Sequence, residues 1–380
     1  MTRSFLEGNE AIARGAMAAG CRFFAGYPIT PATSIYQQML HLLPPSGGVC
    51  MQGEDEIASI GFCLGASMAG MKAMTATSGP GISLYSEQIS FAIAGEIPLV
   101  IIDVQRLGPS TGSATKGADG DIAFLRWGNS GGLPVIVLAP VDVADCYQLT
   151  VTAFNLAERY RCPVFVASNK EIGLTRESVD LAALAVPPVE ERLLAEPAGS
   201  DAEGPAARPR PFAPLPGGLV PPFIPIARGH LSRQTSSSHG EDGYITTDPA
   251  LLGQVARRLA DKLDGAVDSF TFFGSDWAEE DDILLLTYGV TARAARTAQR
   301  LLRAAGQRVS LLVLKTLYPV PEACILRHLL GKREVVVVEM NLGQYVHEIK
   351  RLAGTLGVRL VGQMNGELIA PQTIVEGVKG

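Results

Sequence analysis

Apolar positions in the first half of the chain alternate between two rhythms. A helical period runs over Glu7–Ala19, from Thr30 to about Leu43, and over Asp55–Met68, Ser83–Ala94 and Val143–Tyr160. Asn9 is a candidate N-cap for the first of these helices. Thr30 followed by Pro31 is the preferred order for opening the second. Between the helical stretches lie short apolar runs, Arg22–Tyr27, Lys72–Thr77, Leu99–Val104, Val135–Ala139 and Val164–Ala167, which predict strands. Runs such as LVIIDV, VIVLA and VFVA are continuous rather than alternating. That pattern belongs to a parallel sheet covered on both faces, so the predicted class is α/β.

The rhythm breaks between Pro187 and Pro225, where eleven of the chain's 25 prolines fall. The polar character continues to about Gly243. The composition predicts an extended linker or surface excursion with no core of its own. A second α/β unit follows from near Asp282. Strands are expected at LLLTYG, Val309–Leu314, Val335–Glu339 and Val358–Val361, with helices over Thr291–Ala304, about Glu322–Leu330 and Tyr345–Ala353. The predicted division is therefore 1–186, a linker and crossover at 187–245, and a smaller unit at 246–380.

Composition narrows the function. The 380 residues carry 47% hydrophobic side chains, enough for two cores, and a formal net charge of -6, which argues against a broad nucleic-acid footprint. No apolar run is long enough to span a bilayer, and the first residues lack the apolar stretch of a signal peptide, so the expected address is cytoplasmic. The six cysteines, Cys21, Cys50, Cys63, Cys146, Cys162 and Cys324, include no C-x-x-C pair, and the five histidines lie far apart. No metal or iron–sulfur site is expected in this chain.

Four segments interrupt the regular pattern. GYPITP (26–31) places a strand end ahead of a helix start, where the Thr30 hydroxyl and free amides suit an anion or simply cap the helix. GEDEIA (53–58) places three acids ahead of a helix rich in small residues. Glu54 and Asp55 complement the helix dipole. Glu56 faces a surface of Ala58, Gly61, Gly65, Ala66 and Gly70 that a flat ring or another backbone can approach, and a poorly solvated carboxyl there suits proton transfer. TSGPG (77–81) is a glycine turn after a strand, fit to offer amides to a ligand or to make a tight bend. Arg106 and Lys116, on the loop after Leu99–Val104, suit a small carboxylate or are solvated loop cations. GPSTG (108–112) lacks the strand-to-helix turn of a nucleophile elbow. GADGD (117–121) has acids but lacks the further ligands of a metal loop.

Taken together, these segments resemble the alpha subunit of 2-oxoacid:ferredoxin oxidoreductases, above all the 2-oxoglutarate type. GYPITPAT is similar to that family's YPITPS signature, with Ala32 in place of serine. The stretch GEDEIASIGFCLGASMAGMKAMTATSGPG follows the family's pattern almost throughout. QRLGPSTGSATK is similar to its substrate loop, although GADGD stands where an E-Q-G-D-like sequence is usual. GYITTDP, LTYGVTARAARTA, LKTLYPVPE and VVVVEMNLGQYVHEIKR resemble its second half.

The resemblance implies a pyrimidine-type thiamine diphosphate domain followed by a transketolase C-terminal-like domain. It implies oxidative decarboxylation of a 2-oxoacid, 2-oxoglutarate first, with coenzyme A to acyl-CoA, carbon dioxide and reduced ferredoxin. Glu56 would hydrogen-bond the aminopyrimidine ring nitrogen. Pro28, Ile29, Thr30, Ser78 and Gly79 would line the pyrimidine pocket, Thr30 and Arg106 would hold the substrate carboxylate, and Lys116 would reach a distal one. A beta subunit would bring magnesium and [4Fe-4S] ligands, in an (alpha-beta)2 assembly. The alternatives are a branched-chain, pyruvate or indolepyruvate oxidoreductase subunit, a non-redox decarboxylase half, and a non-catalytic scaffold of the same fold.

Overall fold

The computed structural model describes residues 3–195, 209–227 and 232–379. Strands of the first half are β1 (Ser4–Glu7), β2 (Phe23–Gly26), β3 (Val49–Gln52), β4 (Ala73–Thr77), β5 (Leu99–Gln105), β6 (Ile136–Leu138), β7 (Pro163–Asn169) and β8 (Arg176–Val179). Those of the second half are β9 (Phe273–Asp276), β10 (Ile283–Tyr288), β11 (Val309–Leu314), β12 (Thr316–Tyr318), β13 (Glu334–Glu339) and β14 (Gly357–Gly362).

They form a seven-stranded sheet in the order β12-β6-β7-β5-β4-β2-β3, a five-stranded sheet in the order β14-β13-β10-β11-β9, and a small β1-β8 pair. Within the large sheet β2 through β7 pair in parallel, and only β12 runs antiparallel at the edge. In the second sheet β9 is the antiparallel edge and the rest are parallel.

The continuous apolar strands behave as expected. Val100, Ile102 and Val104 of β5 pack into one hydrophobic cluster, while Leu99 and Ile101 pack into the other. Leu285 and Val336 of the second sheet join the first cluster, and Leu284 and Val335 join the second. Both clusters thus run through both halves. With apolar burial worth about 25 cal/mol per Å2, this shared core resists separation of the two halves.

Three departures from the sequence pattern have local causes. Asn9 does not cap the first helix, Gly8–Ala18. Glu7 occupies the cap position, and Asn9 is fully buried with its amide donating to the Pro31 carbonyl at 2.9 Å and the Ser34 hydroxyl at 2.8 Å. The next helix opens at Thr33, not at Thr30-Pro31, because the Pro31 carbonyl turns to Asn9. β12 comes from the second half yet completes the first sheet, pairing with β6, so the two halves are stitched by backbone hydrogen bonds as well.

The described residues of the proline-rich segment, 187–195 and 209–225, pack as a strap. Phe212 and Phe223 are buried, although the composition predicted no core there. Proline carbonyls have no ladder to join, and buried arginines take them up. Arg161 donates to Pro211 at 2.9 Å and Pro221 at 3.1 Å, and its guanidinium lies 4.9 Å from the Phe223 ring centroid. Arg192 covers the same ring at 4.6 Å and pairs with Glu158 at 2.5 Å. Among the described residues no helix is long and apolar enough to cross a membrane.

Candidate active site

The four irregular segments follow the carboxyl ends of β2, β3, β4 and β5, where an open parallel sheet presents its loops to a ligand. Asp55 is the N-cap of helix Glu56–Met68, its carboxylate accepting the Ala58 N–H at 2.7 Å. That cap fixes the direction of the next residue. Glu54 and Asp55 are exposed, and Glu56, one residue on, turns inward and is 8% exposed.

Its carboxyl packs on the turn after β4. A Cβ built on Gly81 would lie 1.9 Å from Thr77 Oγ1, 2.9 Å from Glu56 Cγ and 3.1 Å from Glu56 Oε1. Only glycine leaves room there for both side chains. Gly79 has φ 35° and ψ −95°, a conformation that side-chain-bearing residues rarely adopt, and Gly81 N–H closes the turn on the Ser78 carbonyl at 2.8 Å.

Arg106, just past β5, reaches back under this turn. Its Nη1 donates to the Thr30 carbonyl at 2.5 Å, tying the end of β5 to the loop after β2. The position of a Gly79 Cβ would be 3.9 Å from Arg106 Nε, so the guanidinium lies against the turn. Burial pulls the Arg106 pKa down from its ordinary value, opposed by the nearby charges of Asp121 and Glu56.

Several buried polar atoms here lack a hydrogen-bond partner: Thr77 Oγ1, Ser78 Oγ and Arg106 Nε. An unpaired buried polar group costs about 1–3 kcal/mol, and three at one spot are a vacancy in hydrogen bonding that a ligand can fill. The arrangement offers two hydroxyls, a guanidinium N–H and a carboxyl around glycines that admit a flat ring.

Of the residues singled out in the sequence, Glu56, Ser78, Gly79 and Arg106 are brought together, and Thr30 joins them through its carbonyl. Thr30 and Pro28 are exposed and Ile29 half-buried on the loop after β2. Lys116 is not brought in. Its backbone carbonyl pairs with the Leu107 N–H at 2.8 Å, but its exposed side chain turns to Glu367 of the second half. Pairing with Glu367, through the hydrogen bond first and the charge second, raises its pKa.

Sequence reasoning missed the roles of three residues. Asn9 holds the loop that carries Pro28 to Thr30. Asp103 is a fully buried acid inside the apolar β5 strand, and Asp121 meets it from the loop that had been set aside as an incomplete metal site. A carboxylate within LVIIDVQ was the available signal.

Comparison with known proteins fits this geometry. Residues 14–252 match the family described as pyruvate flavodoxin/ferredoxin oxidoreductase, thiamine diP-bdg, and residues 281–374 match pyruvate:ferredoxin oxidoreductase core domain II. The chain is 40% identical to 2-oxoglutarate synthase subunit KorA of Methanothermobacter marburgensis, covering 99% of this chain and 98% of that one. Its fold is similar to the 2-oxoglutarate:ferredoxin oxidoreductase of Magnetococcus marinus, solved with 2-oxoglutarate, coenzyme A and succinyl-CoA bound. The TM-score is 0.90 at 33% identity, over 99% of this chain and 65% of that longer chain. A split-gene transketolase, at 13% identity and TM-score 0.56, shares the fold alone, over 99% of this chain and 98% of that one. The partnerless hydroxyls of Thr77 and Ser78, the glycine cradle and the inward Glu56 fit the aminopyrimidine half of thiamine diphosphate, which is flat and rich in hydrogen-bonding nitrogen. This chain belongs to the pyruvate flavodoxin/ferredoxin oxidoreductase family, with that family's thiamine diphosphate-binding domain followed by its core domain II.

Proposed function

We propose that this chain is the alpha subunit of a 2-oxoacid:ferredoxin oxidoreductase that converts 2-oxoglutarate and coenzyme A to succinyl-CoA and carbon dioxide, passing electrons to ferredoxin. The observation that carries the proposal is the inward Glu56 beside partnerless Thr77, Ser78 and Arg106 atoms at the carboxyl ends of three parallel strands.

Thiamine diphosphate, when bound, supplies the electron sink for decarboxylation. The chain's residues supply the rest of the site. Glu56 hydrogen-bonds the aminopyrimidine ring nitrogen and exchanges a proton there. Ser78 and Gly79, with Pro28 and Ile29 opposite, line the pyrimidine. Arg106, held against Gly79 and the Thr30 carbonyl, offers its remaining N–H groups to the carboxylate next to the keto group, beside the Thr30 hydroxyl. Lys116 reaches the distal carboxylate of 2-oxoglutarate by exchanging Glu367 for substrate. A beta subunit brings the pyrophosphate and magnesium site and the [4Fe-4S] cluster, in an (alpha-beta)2 assembly of the cytoplasm.

The test is to produce the chain with its partner subunit and assay dye reduction with coenzyme A against 2-oxoglutarate, pyruvate, 2-oxoisovalerate and indolepyruvate. The expected result is the highest kcat/KM for 2-oxoglutarate, by about tenfold or more, because it alone among the four brings a second carboxylate for Lys116 to pair with. Preference for a short apolar acid would assign the chain to a branched-chain or pyruvate enzyme. An assembled complex that turns over none of the four would make it a scaffold.

A further inference from the structure

Directly beneath the Gly79 turn lies a pair of acids that the roles above leave unused. Asp103 is fully buried on β5, opposite Thr77 of β4 on one side and Ala167 of β7 on the other. Neither of its oxygens has a hydrogen-bonding donor, and its register partner Thr77 is the last residue of β4, two before Gly79. Asp121 comes to the same strand face: its N–H is held by the Gln105 side chain, two residues along from Asp103, its Oδ2 is likewise buried without a hydrogen-bond partner, and its charge acts on Asp103. Two carboxylates without a cation in contact cannot both be charged in a dry interior, and two carboxyl groups can hydrogen-bond only if one carries a proton. One proton shared between the two acids would give their orphaned oxygens a partner. A bound cation is a poor substitute, because among the described residues no cluster of three or more His, Cys, Asp or Glu side chains comes close enough to hold one.

The position of Asp121 is set from two directions. Its own N–H donates to the Gln105 side chain at 2.9 Å. The loop around it is gripped by the second half of the chain. Asn341 Nδ2 donates to the Asp119 carbonyl at 2.8 Å, Gln344 Nε2 to the Gly120 carbonyl at 2.5 Å, and the Ala123 N–H donates to Gln344 Oε1 at 2.8 Å. The turn carrying Asn341 and Gln344 thus delivers Asp121 to Asp103, and Asp103 lies under the Gly79 turn and Arg106.

We propose that Asp103 and Asp121 form an acid–carboxylate pair that positions Gly79 and Arg106 for the substrate carboxylate, and that Asn341 and Gln344 hold Asp121 in that pair. This rests on the functional reading above. The two acids are positioning residues, because neither touches substrate. Their single negative charge also faces Arg106, and keeps that guanidinium charged despite its burial.

The pair has a pH signature of its own. Burial foremost, then the neighbouring acid, lifts Asp103 well above the ordinary carboxylate range, and burial pushes Asp121 up to about 6. The charged groups facing them are Arg106, whose charge opposes the rise at Asp121, together with Glu56, whose charge also acts on Arg106, and Asp119 with Glu339 behind it. Folded-state values above the unfolded ones give stability that is complete below the ordinary aspartate value. That stability is lost as pH rises through the folded values.

The experiment uses the full-length chain with its partner subunit and compares wild type with Asp121→Ala and Asp121→Asn. Asp121→Ala is expected to raise KM for 2-oxoglutarate about tenfold, with a smaller change in kcat. Asp121→Asn recovers most of that loss, since its amide can donate to Asp103. Without substrate, the melting temperature of wild type should fall as pH rises from about 4 through about 6, and Asp121→Ala should flatten that fall. Equal KM values for wild type and Asp121→Ala, or equal losses in Ala and Asn, would overturn the proposal. Should Asp121→Ala fail to assemble, Gln344→Ala tests the same chain of contacts: a raised KM supports it and an unchanged KM overturns it. If wild type itself turns over no 2-oxoacid, the functional reading fails, while the pH dependence of melting still judges the shared proton.

Discussion

Glu56→Gln lowers kcat by about 10²–10⁴-fold, the range a positioned acid–base group contributes, while the complex stays assembled. Glutamine keeps the shape that Gly81 and Thr77 enclose, so the turn after β4 has no reason to move. It keeps a hydrogen-bonding carbonyl as well. What it removes is the exchangeable proton and the negative charge at the first residue of helix Glu56–Met68. Loss of a charge at a helix start costs about 0.3–1 kcal/mol, too little to unfold a chain with two shared hydrophobic clusters. The measurement pairs steady-state rates with a thermal melt. Loss of activity with an unchanged melt is expected, and turnover near the wild-type rate would remove Glu56 from the chemistry.

The largest effect on stability is expected far from that site. Glu96 is fully buried beside the strap, with Arg258 at 2.7 Å and Lys262 at 2.8 Å from its two oxygens. Its backbone carbonyl accepts from Arg161, whose guanidinium in turn holds the proline carbonyls. Removing one partner of a buried ion pair costs about 3–5 kcal/mol, because the charges left behind are unpaired in a dry interior. Glu96→Ala strands two cations at once, Arg258 and Lys262, and should cost at least that much, read as a fall in denaturation midpoint. The more conservative Glu96→Gln should lose less, since its carbonyl can still accept. A midpoint within error of wild type for Glu96→Ala would show that solvent reaches the cluster.

The pH dependence of the same group has a definite sign. Burial alone would raise the Glu96 pKa, but the Lys262 charge and the Arg258 hydrogen bonds outweigh it and hold the value at about 2, below the ordinary 4.5. A lowered folded-state value gives stability that is present above the unfolded pKa and lost as pH falls through the folded one. Between about pH 4.5 and pH 2 the wild-type chain should therefore lose stability that Glu96→Ala never had, and the two should converge in strong acid.

What could be read in the sequence follows from which interactions are local. LVIIDV and VFVA announced parallel strands because both faces of β5 and β7 are covered, a demand that every residue of the strand must meet. Helix Val143–Tyr160 was legible in full because Asp142 caps it and its period is unbroken. β3 (Val49–Gln52) was missed because it is an edge strand with half-exposed residues, and β12 because its partner lies in the other half of the chain. Asn9 was mistaken for a cap because its partners, Pro31 and Ser34, are 22 and 25 residues away. The packing of Phe212 and Phe223 was invisible because it depends on Arg161 and Arg192, which no local pattern links to the strap.

The candidate site divides in the same way. Glu56, Ser78, Gly79 and Arg106 stood out as breaks in regular secondary structure, and the fold gathers them. Lys116 stood out equally, but a charge on a loop is free to choose its partner, and here it finds Glu367. Asp103 looked like part of a buried strand, and its chemistry appears only when Asp121 is set beside it.

All of this turns on where the carboxyl of Glu56 lies once the complex is loaded with thiamine diphosphate. A crystal structure of that complex should place it within about 3.2 Å of the aminopyrimidine ring nitrogen, at hydrogen-bonding geometry. A carboxyl turned to solvent, with another residue at that nitrogen, would contradict the account.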